Sequence, residues 1–302
     1  MDVSIIIVNY KTSRLIIDSV KSITRLTEGI EYEVIIVDNN SEDNFKEVIF
    51  DSIPGVHKDR FHFISLPENV GFGRANNEGI RIAKGRNILF LNPDTLLLNN
   101  AIKILSDFLD SHPEAGACGG NLYDTDLKAG FSYKRILPGI KWETNEFFNT
   151  LPEKLQYGEN RYFNHTEQNI EVGYISGADL MVKSEVLKET GDFRKEYFLY
   201  YEETDLCYRI KRKGWKIYSV PSAKIQHLES KSFGLTEAYQ SEFKTEFLEK
   251  SRNIFYRLNK APFSRQISQL IYQLFLITRI FLIKSDKKKK YYRQRMKYFN
   301  CK

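Results

Sequence analysis

The chain has 302 residues, a net charge of +6 and 42% hydrophobic residues, which suits one large α/β domain or such a domain with an appendage. Its three cysteines, Cys118, Cys207 and Cys301, show neither metal-ligand spacing nor a disulfide framework, and this points to a reducing, cytosolic compartment. No basic, apolar leader opens the chain and no stretch reaches the roughly 18 uninterrupted apolar residues of a membrane span, so neither a signal peptide nor a spanning helix is expected.

The run Val3-Ser4-Ile5-Ile6-Ile7-Val8 reads as a strand buried on both faces, and it ends in Asn9-Tyr10-Lys11. Leu15, Ile16, Val20, Ile23 and Leu26 then recur at the steps of a helix face, before a second run, Val34-Ile35-Ile36-Val37, ends in Asp38-Asn39-Asn40-Ser41. Strand, helix, strand implies parallel pairing. A helix over 45–50, a turn at Pro54-Gly55 and a third strand over 61–65 follow. Residues 68–79 form a glycine-punctuated loop that opens a helix running to about Ala83. The next apolar run, Ile88-Leu89-Phe90-Leu91, stops abruptly at Asn92-Pro93-Asp94-Thr95. Parallel strands share a direction, and open α/β sheets gather ligands beyond their carboxyl ends, so Asn9, Asp38 and Asp94 are expected at one edge.

Residues 101–109 resume helical spacing, and 115–120 read as a tightly packed strand or bend. The polar, aromatic, weakly periodic stretch over 124–169 reads as a lid or specificity segment. Order returns over 173–182, followed by a short helix that Gly191 ends. An aromatic run over 197–201 precedes Glu202-Glu203-Thr204-Asp205 and a helix carrying Leu206 and Ile210, closed by Gly214. A strand over 215–220 and then Ile225-Gln226-His227 complete the unit. From Lys260 onward there are twelve Lys or Arg against the single acid Asp286, so the preceding residues carry a net −5 and the basic character belongs to the tail.

Asp94 has the character of a ligand for Mg²⁺ or Mn²⁺, ions that take one or two carboxylates and complete their shell with phosphate oxygens and water. His227 can add an imidazole nitrogen, which suits Mn²⁺ better; Asn92-Pro93-Asp94 is equally an ordinary turn signal. Gly71 and Gly73 lack the third glycine of a dinucleotide fingerprint. Their loop either admits a phosphate to helix amides beside Arg74 or is a plain turn with an N-cap. Glu202 and Glu203, adjacent on a helix, point in different directions. One of them can take the proton of an attacking hydroxyl, yet acids also gather at helix N-termini for the dipole, and Thr204 or Asp205 can cap. Spacing alone does not choose among these acids.

Taken together, Ile5-Ile6-Ile7-Val8-Asn9-Tyr10, Val37-Asp38-Asn39-Asn40-Ser41, the segment Asn69-Val70-Gly71-Phe72-Gly73-Arg74-Ala75-Asn76-Asn77-Glu78-Gly79, Leu91-Asn92-Pro93-Asp94 and Tyr201-Glu202-Glu203-Thr204-Asp205-Leu206-Cys207 resemble the family 2 inverting glycosyltransferases of the GT-A fold, in their rhamnosyltransferase-like branch. The resemblance spans roughly residues 3–235. It implies an α/β catalytic domain over 1–235, with nucleotide-sugar binding in about 1–100 and the acceptor and catalytic half in about 101–235, then a helical extension with a basic tail over 236–302. It further implies that Asp38 meets a pyrimidine base beside Asn9 and Tyr10, within a nucleotide site that includes Asn40, Asn69, Gly71, Phe72, Arg74, Asn76 and Asn92. Asp94 takes the place of the last acid of the family's Asp-x-Asp metal element, where Asn92 departs from the usual first Asp, and His227 matches a histidine on the metal or diphosphate. Glu203 aligns with the general base, with Glu202 and Asp205 in support, and Gly177 and Ala178 line the sugar and acceptor cleft. The implied activity is transfer from a dTDP- or UDP-sugar, dTDP-rhamnose foremost, to a glycan or lipid-linked acceptor in surface polysaccharide assembly. Two other functions compete with it: a nucleotidyl- or other nucleotide-sugar-using transferase on a related sheet, and a catalytically silent nucleotide-sugar-binding or scaffold subunit.

The tail carries Leu270, Ile271, Leu274, Phe275, Ile277, Phe281 and Leu282, then Lys287-Lys288-Lys289-Lys290, Arg293 and Arg295. An apolar helix with a polybasic flank suits an anionic membrane surface through 266–297, on the inner face of the cell membrane. The alternative is a helix packed on the catalytic domain or on a homodimer mate, followed by a solvated tail. Nucleic-acid binding is not expected, because the body of the chain is acidic.

Overall fold

The computed structural model describes residues 1–41, 58–228 and 237–299; the helix expected over 45–50, the Pro54-Gly55 turn and Cys301 lie outside them. In chain order the elements are β1 (Val3–Asn9), α1 (Ser13–Leu26), β2 (Tyr32–Asp38), β3 (Phe61–Ser65), α2 (Phe72–Ile82), β4 (Asn87–Leu91), β5 (Thr95–Leu97), α3 (Ala101–Ser111) and β6 (Ala115–Tyr123). There follow β7 (Tyr133–Lys134), α4 (Ile140–Phe147), α5 (Leu151–Tyr157), β8 (Ile170–Glu171), β9 (Tyr174–Ile175), β10 (Asp179–Lys183), α6 (Ser184–Thr190), α7 (Glu202–Arg212) and β11 (Lys216–His227). Three helices close the described chain: α8 (Glu237–Asn259), α9 (Pro262–Leu282) and α10 (Asp286–Phe299).

The main sheet runs β3-β2-β1-β4-β10-β6-β11-β5, with β8 added on β11. Strands β3, β2, β1 and β4 are parallel, β10 is antiparallel to both neighbours, and β6 pairs β11 in parallel again. Every residue of β1, β2 and β4 is buried, as expected for strands covered on both faces. One face packs Ile16, Val20 and Ile23 of α1 and Ile102, Leu105 and Leu109 of α3; the other packs Ala75 of α2, Val186 and Leu187 of α6, and Leu206 and Ile210 of α7. Each of these Val, Leu and Ile side chains contributes ~1.5–3 kcal/mol on burial.

The strand order reverses between β1 and β4, and the crevice beyond their carboxyl ends is where such a sheet takes a ligand. Asn9 and Asp38 end paired strands, and the Asn92–Asp94 turn follows β4. Because β10 runs the other way, its amino end, preceded by Gly177 and Ala178, reaches the same edge opposite Leu91. Through β10 and β6, β11 regains the direction of β4, and His227 at its end returns to that edge beside Thr95.

Three features depart from the sequence expectation. The stretch over 124–169 contains the regular elements β7, α4 and α5, which its weak periodicity hides because what these short helices bury is polar: Glu143, Asn145 and Glu153. Strand β11 continues through Pro221 to His227, with the break in pairing to β6 absorbed by a register shift between Ser219 and Lys224. The basic tail is helical, and Tyr292, Met296 and Phe299 of α10 pack with Tyr272, Phe275 and Leu276 of α9.

The helices α8, α9 and α10 are fastened to the body by buried charge. Arg252 of α8, 2% exposed, donates to Glu143 Oε1 of α4 at 2.8 Å, and the Tyr256 hydroxyl donates to the same oxygen. The guanidinium also lies 3.6 Å from the centroid of the Tyr272 ring of α9. Arg295 of α10 donates to buried Glu249 of α8 at 2.5 Å. Removing one partner of a buried pair strands the other charge. Glu143→Ala is therefore expected to cost ~3–5 kcal/mol of stability, read as a lower midpoint in denaturant unfolding; an unchanged midpoint would refute the anchoring role.

Candidate active site

At the crevice, the Asn9 amide donates to Asp38 Oδ1 at 2.8 Å, while Asn9 Oδ1 accepts from the backbone and hydroxyl of Thr12 at 3.1 and 2.9 Å. Those two donors fix which way the buried amide points. Asp38 Oδ2 accepts from the Ser41 amide at 3.2 Å through a turn in which Asn40 has φ +65°. A carboxylate with about four acceptor positions retains capacity for a further donor. Tyr10 flanks the pair, half-buried. Asn39 and Asn69 join β2 to the next loop: Asn39 donates to Asn69 Oδ1 at 2.9 Å, which also accepts from the Gly71 amide at 3.0 Å.

A second cluster stands beyond β4. Asp94, 2% exposed, lies with Oδ1 3.2 Å from His227 Nε2, and the Asn92 amide nitrogen is 3.3 Å from the same ring nitrogen. The turn that presents them is held by the Asn92 amide on the Ala178 carbonyl, the Thr95 hydroxyl on the Asn92 carbonyl, and the Leu228 amide on the Asp94 carbonyl. Among the described residues no group of three His, Cys, Asp or Glu side chains could hold a metal by itself. One carboxylate and one imidazole suit an ion that draws its other ligands from substrate phosphate and water.

The glycine loop meets the chain's own backbone at its first glycine. At Gly71, φ +89°, a Cβ would sit 2.3 Å from the Phe198 carbonyl oxygen, and the first amide of α2, at Phe72, donates to that same carbonyl at 3.0 Å. The close approach that Gly71 permits is thus taken by the chain's own backbone, and the helix start does not present that amide to a phosphate. Arg74 likewise donates to the Lys195 carbonyl at 2.9 and 2.6 Å instead of pointing to the crevice. Asn76 is buried and bonds back to the Phe72 carbonyl. Asn77 and Phe193 complete the seam with a bond in each direction.

That seam positions the acidic motif. Tyr200 and Tyr201 both adopt left-handed backbone, φ +67° and +66°, a conformation costing ~1–3 kcal/mol for such residues. Tyr201 packs on Phe255 of α8, and its carbonyl accepts from the Asp205 amide. The resulting sharp entry sets Glu202 and Glu203 in the first turn of α7. Glu203 lies across from Gly177, where a Cβ would stand 3.6 Å from the Glu203 Cβ and Cγ and 3.9 Å from the Phe72 ring. Glu203, Gly177 and Phe72 are therefore neighbours.

The three acids have distinct surroundings. Burial raises the Glu203 pKa, opposed by its own amide and by Thr204, whose hydroxyl donates to Oε1 at 3.1 Å. Glu202 is pushed further up, by burial first and then by the Glu203 charge, and its Oε2 is buried without a hydrogen-bond partner among the described residues. Asp205 is fully buried and saturated: Oδ1 accepts from Arg194, Tyr197 and Asn259, and Oδ2 from Arg209 at 2.8 Å. Held by two guanidinium groups and an amide, it anchors the first turn of α7.

One further acid escaped the sequence reading. Asp179 is fully buried at the start of β10, accepts from the Gly120 amide at 2.6 Å, and is pushed up to about 7 by burial, against the opposing pull of Gly120 and His227. The signal for it is a lone carboxylate inside the apolar run that follows Gly177 and Ala178.

The model of the family described as Glycosyl transferase family 2 matches residues 4–187. The N-acetylglucosaminyl-diphospho-decaprenol L-rhamnosyltransferase of Mycobacterium tuberculosis (strain ATCC 25618 / H37Rv) is 27% identical over 216 residues, covering 67% of this chain and 68% of that protein. The dTDP-rhamnosyl transferase RfbF of Shigella flexneri is 27% identical over 272 residues, covering 88% and 84%. Among solved structures, the mannosyltransferase PcManGT from Pyrobaculum calidifontis, in complex with GDP-Man and Mn²⁺, superposes with a TM-score of 0.62 at 14% identity, over 98% of this chain and 86% of that one. S. aureus TarS 1-349 superposes with a TM-score of 0.53 at 15% identity, over 99% and 89%. These neighbours share the GT-A fold. A family match over more than half of the chain, on a sheet of this topology, makes this chain a member of glycosyl transferase family 2, of the rhamnosyltransferase-like kind.

Proposed function

We propose that the chain is an inverting glycosyltransferase that moves a sugar, rhamnose foremost, from a dTDP- or UDP-linked donor to a hydroxyl of a glycan or lipid-linked acceptor in surface polysaccharide assembly. The observation that carries this reading is the placement of Glu203, a partly exposed carboxylate that pairs with no cation among the described residues, across from Gly177 and beside the crevice at the sheet edge. Two relatives named as rhamnosyltransferases, one on a lipid diphosphate and one dTDP-dependent, support the donor and acceptor classes.

In this reading Asn9 and Asp38 meet the base, and residues 1–235 form the catalytic unit. Asp94 and His227 would hold a divalent cation, which supplies charge to the departing diphosphate. Glu203 takes the acceptor hydroxyl proton as its oxygen bonds to the anomeric carbon, and the bond from that carbon to the diphosphate oxygen breaks with its electron pair leaving on the diphosphate. One displacement inverts the anomeric centre. Glycine at 177 keeps the space before Glu203 open.

Glu203→Gln keeps the shape and removes the base, so turnover is expected to fall by ~10²–10⁴ while thermal stabilisation by donor nucleotide persists; near-wild-type turnover would overturn the assignment. Since burial raises the Glu203 pKa, the base is protonated as pH falls through that raised value, and kcat should decline on the acid side with a limb above the ordinary carboxylate range. Asp205→Asn, by contrast, is expected to lower stability by about 3 kcal/mol while the folded enzyme keeps the wild-type pH profile. A shifted acid limb in Asp205→Asn would return Asp205 to the chemistry.

A further inference from the structure

We propose that α9 and the start of α10 form a docking face for an anionic lipid bilayer surface. One side of α9 is committed to the protein: Ser268, Tyr272, Phe275 and Leu276 are buried, the last three in the cluster with Phe147 and α10. The other side is apolar and uncovered. Phe263 is 74% exposed, Leu270 57%, Leu274 46% and Phe281 79%, and their spacing of seven, four and seven residues stacks them in one stripe along the helix.

Cations continue from the end of the stripe. Lys284, Lys287, Lys288, Lys290 and Arg293 are all exposed, and Asp286 is the single acid among residues 260–302. An apolar stripe beside a run of cations matches the acyl and headgroup layers of an anionic bilayer, with each basic residue adding to the attraction. A second copy of this segment offers one acid to five exposed cations, so its charge complementarity is poor. No helix among the described residues is long and apolar enough to cross a membrane, which fits lying on the surface. Arg279 donates to Asn149 and to the Phe147 carbonyl, so exposed Phe148 and Leu151 adjoin the same helix.

The test is flotation of the full chain with phosphatidylcholine vesicles, with and without phosphatidylglycerol, at low and high salt. Binding is expected only to the vesicles containing phosphatidylglycerol, at low salt, with release at high salt. Combining Lys287→Glu, Lys288→Glu and Lys290→Glu should lower partitioning on the order of a hundredfold. Leu270→Ser with Phe281→Ser should lower it by roughly tenfold or more without loss of melting temperature, both side chains being exposed. Docking is independent of the transfer chemistry, so Glu203→Gln should float like the wild type. Equal binding to neutral vesicles, or none to anionic vesicles at low salt, would overturn the proposal. So would self-association abolished by the serine pair without any vesicle binding, which would give the face to a second copy.

Discussion

The carboxylate of Asp205 joins three separate parts of the chain. It accepts from Arg194 and Tyr197 in the loop before α7, from Arg209 one turn along α7, and from Asn259 at the end of α8. Arg209 extends the junction by donating to the carbonyls of Gly191 and Asp192. Few arrangements satisfy a fully buried carboxylate, and this one does so only if the loop, α7 and α8 meet in one geometry. The first turn of α7 is thereby fixed, and with it the position of Glu203 relative to Gly177. The two strained tyrosines ahead of α7 persist because the surrounding junction over-determines them.

The other half of the site depends on strand direction. Parallel pairing of β1, β2 and β4 brings Asn9, Asp38 and the Asn92–Asp94 turn to one edge. The reversal at β10 brings Gly177, Ala178 and Asp179 to that edge from the opposite direction. Polar groups far apart in sequence converge without any local motif requiring it. The site is thus an edge of a rigid sheet facing the start of an anchored helix, an arrangement that holds side chains better than loops alone do.

Much of this was legible in the sequence, for physical reasons that also explain the misses. Strands buried on both faces must be apolar runs, so β1, β2 and β4, and the polar residues Asn9, Asp38 and Asp94 at or just past their ends, stand out. Helices α4 and α5 did not, since what they bury is Glu143, Asn145 and Glu153, and the partners Arg252 and Tyr256 lie more than a hundred residues away. Gly71 in the 68–79 loop signals a close approach, but spacing does not name the approaching group, which is the Phe198 backbone. Likewise, three acids within four residues look interchangeable until Arg194, Arg209 and Asn259 single out Asp205 as the one neutralised in place. Local pattern reports burial and turns; it is silent on distant partners.

The proposed function requires that this sheet edge bind a nucleoside diphosphate through Asp94 and a divalent cation. The direct measurement is thermal unfolding of the wild type and of Asp94→Ala with UDP, dTDP and GDP, each with and without Mn²⁺. A ligand at about a hundred times its Kd stabilises the folded state by about 2.7 kcal/mol. Such a rise is expected for a pyrimidine diphosphate with Mn²⁺ in the wild type, and its loss in Asp94→Ala. No stabilisation by any of the three nucleotides, or an equal rise in both proteins, would contradict it.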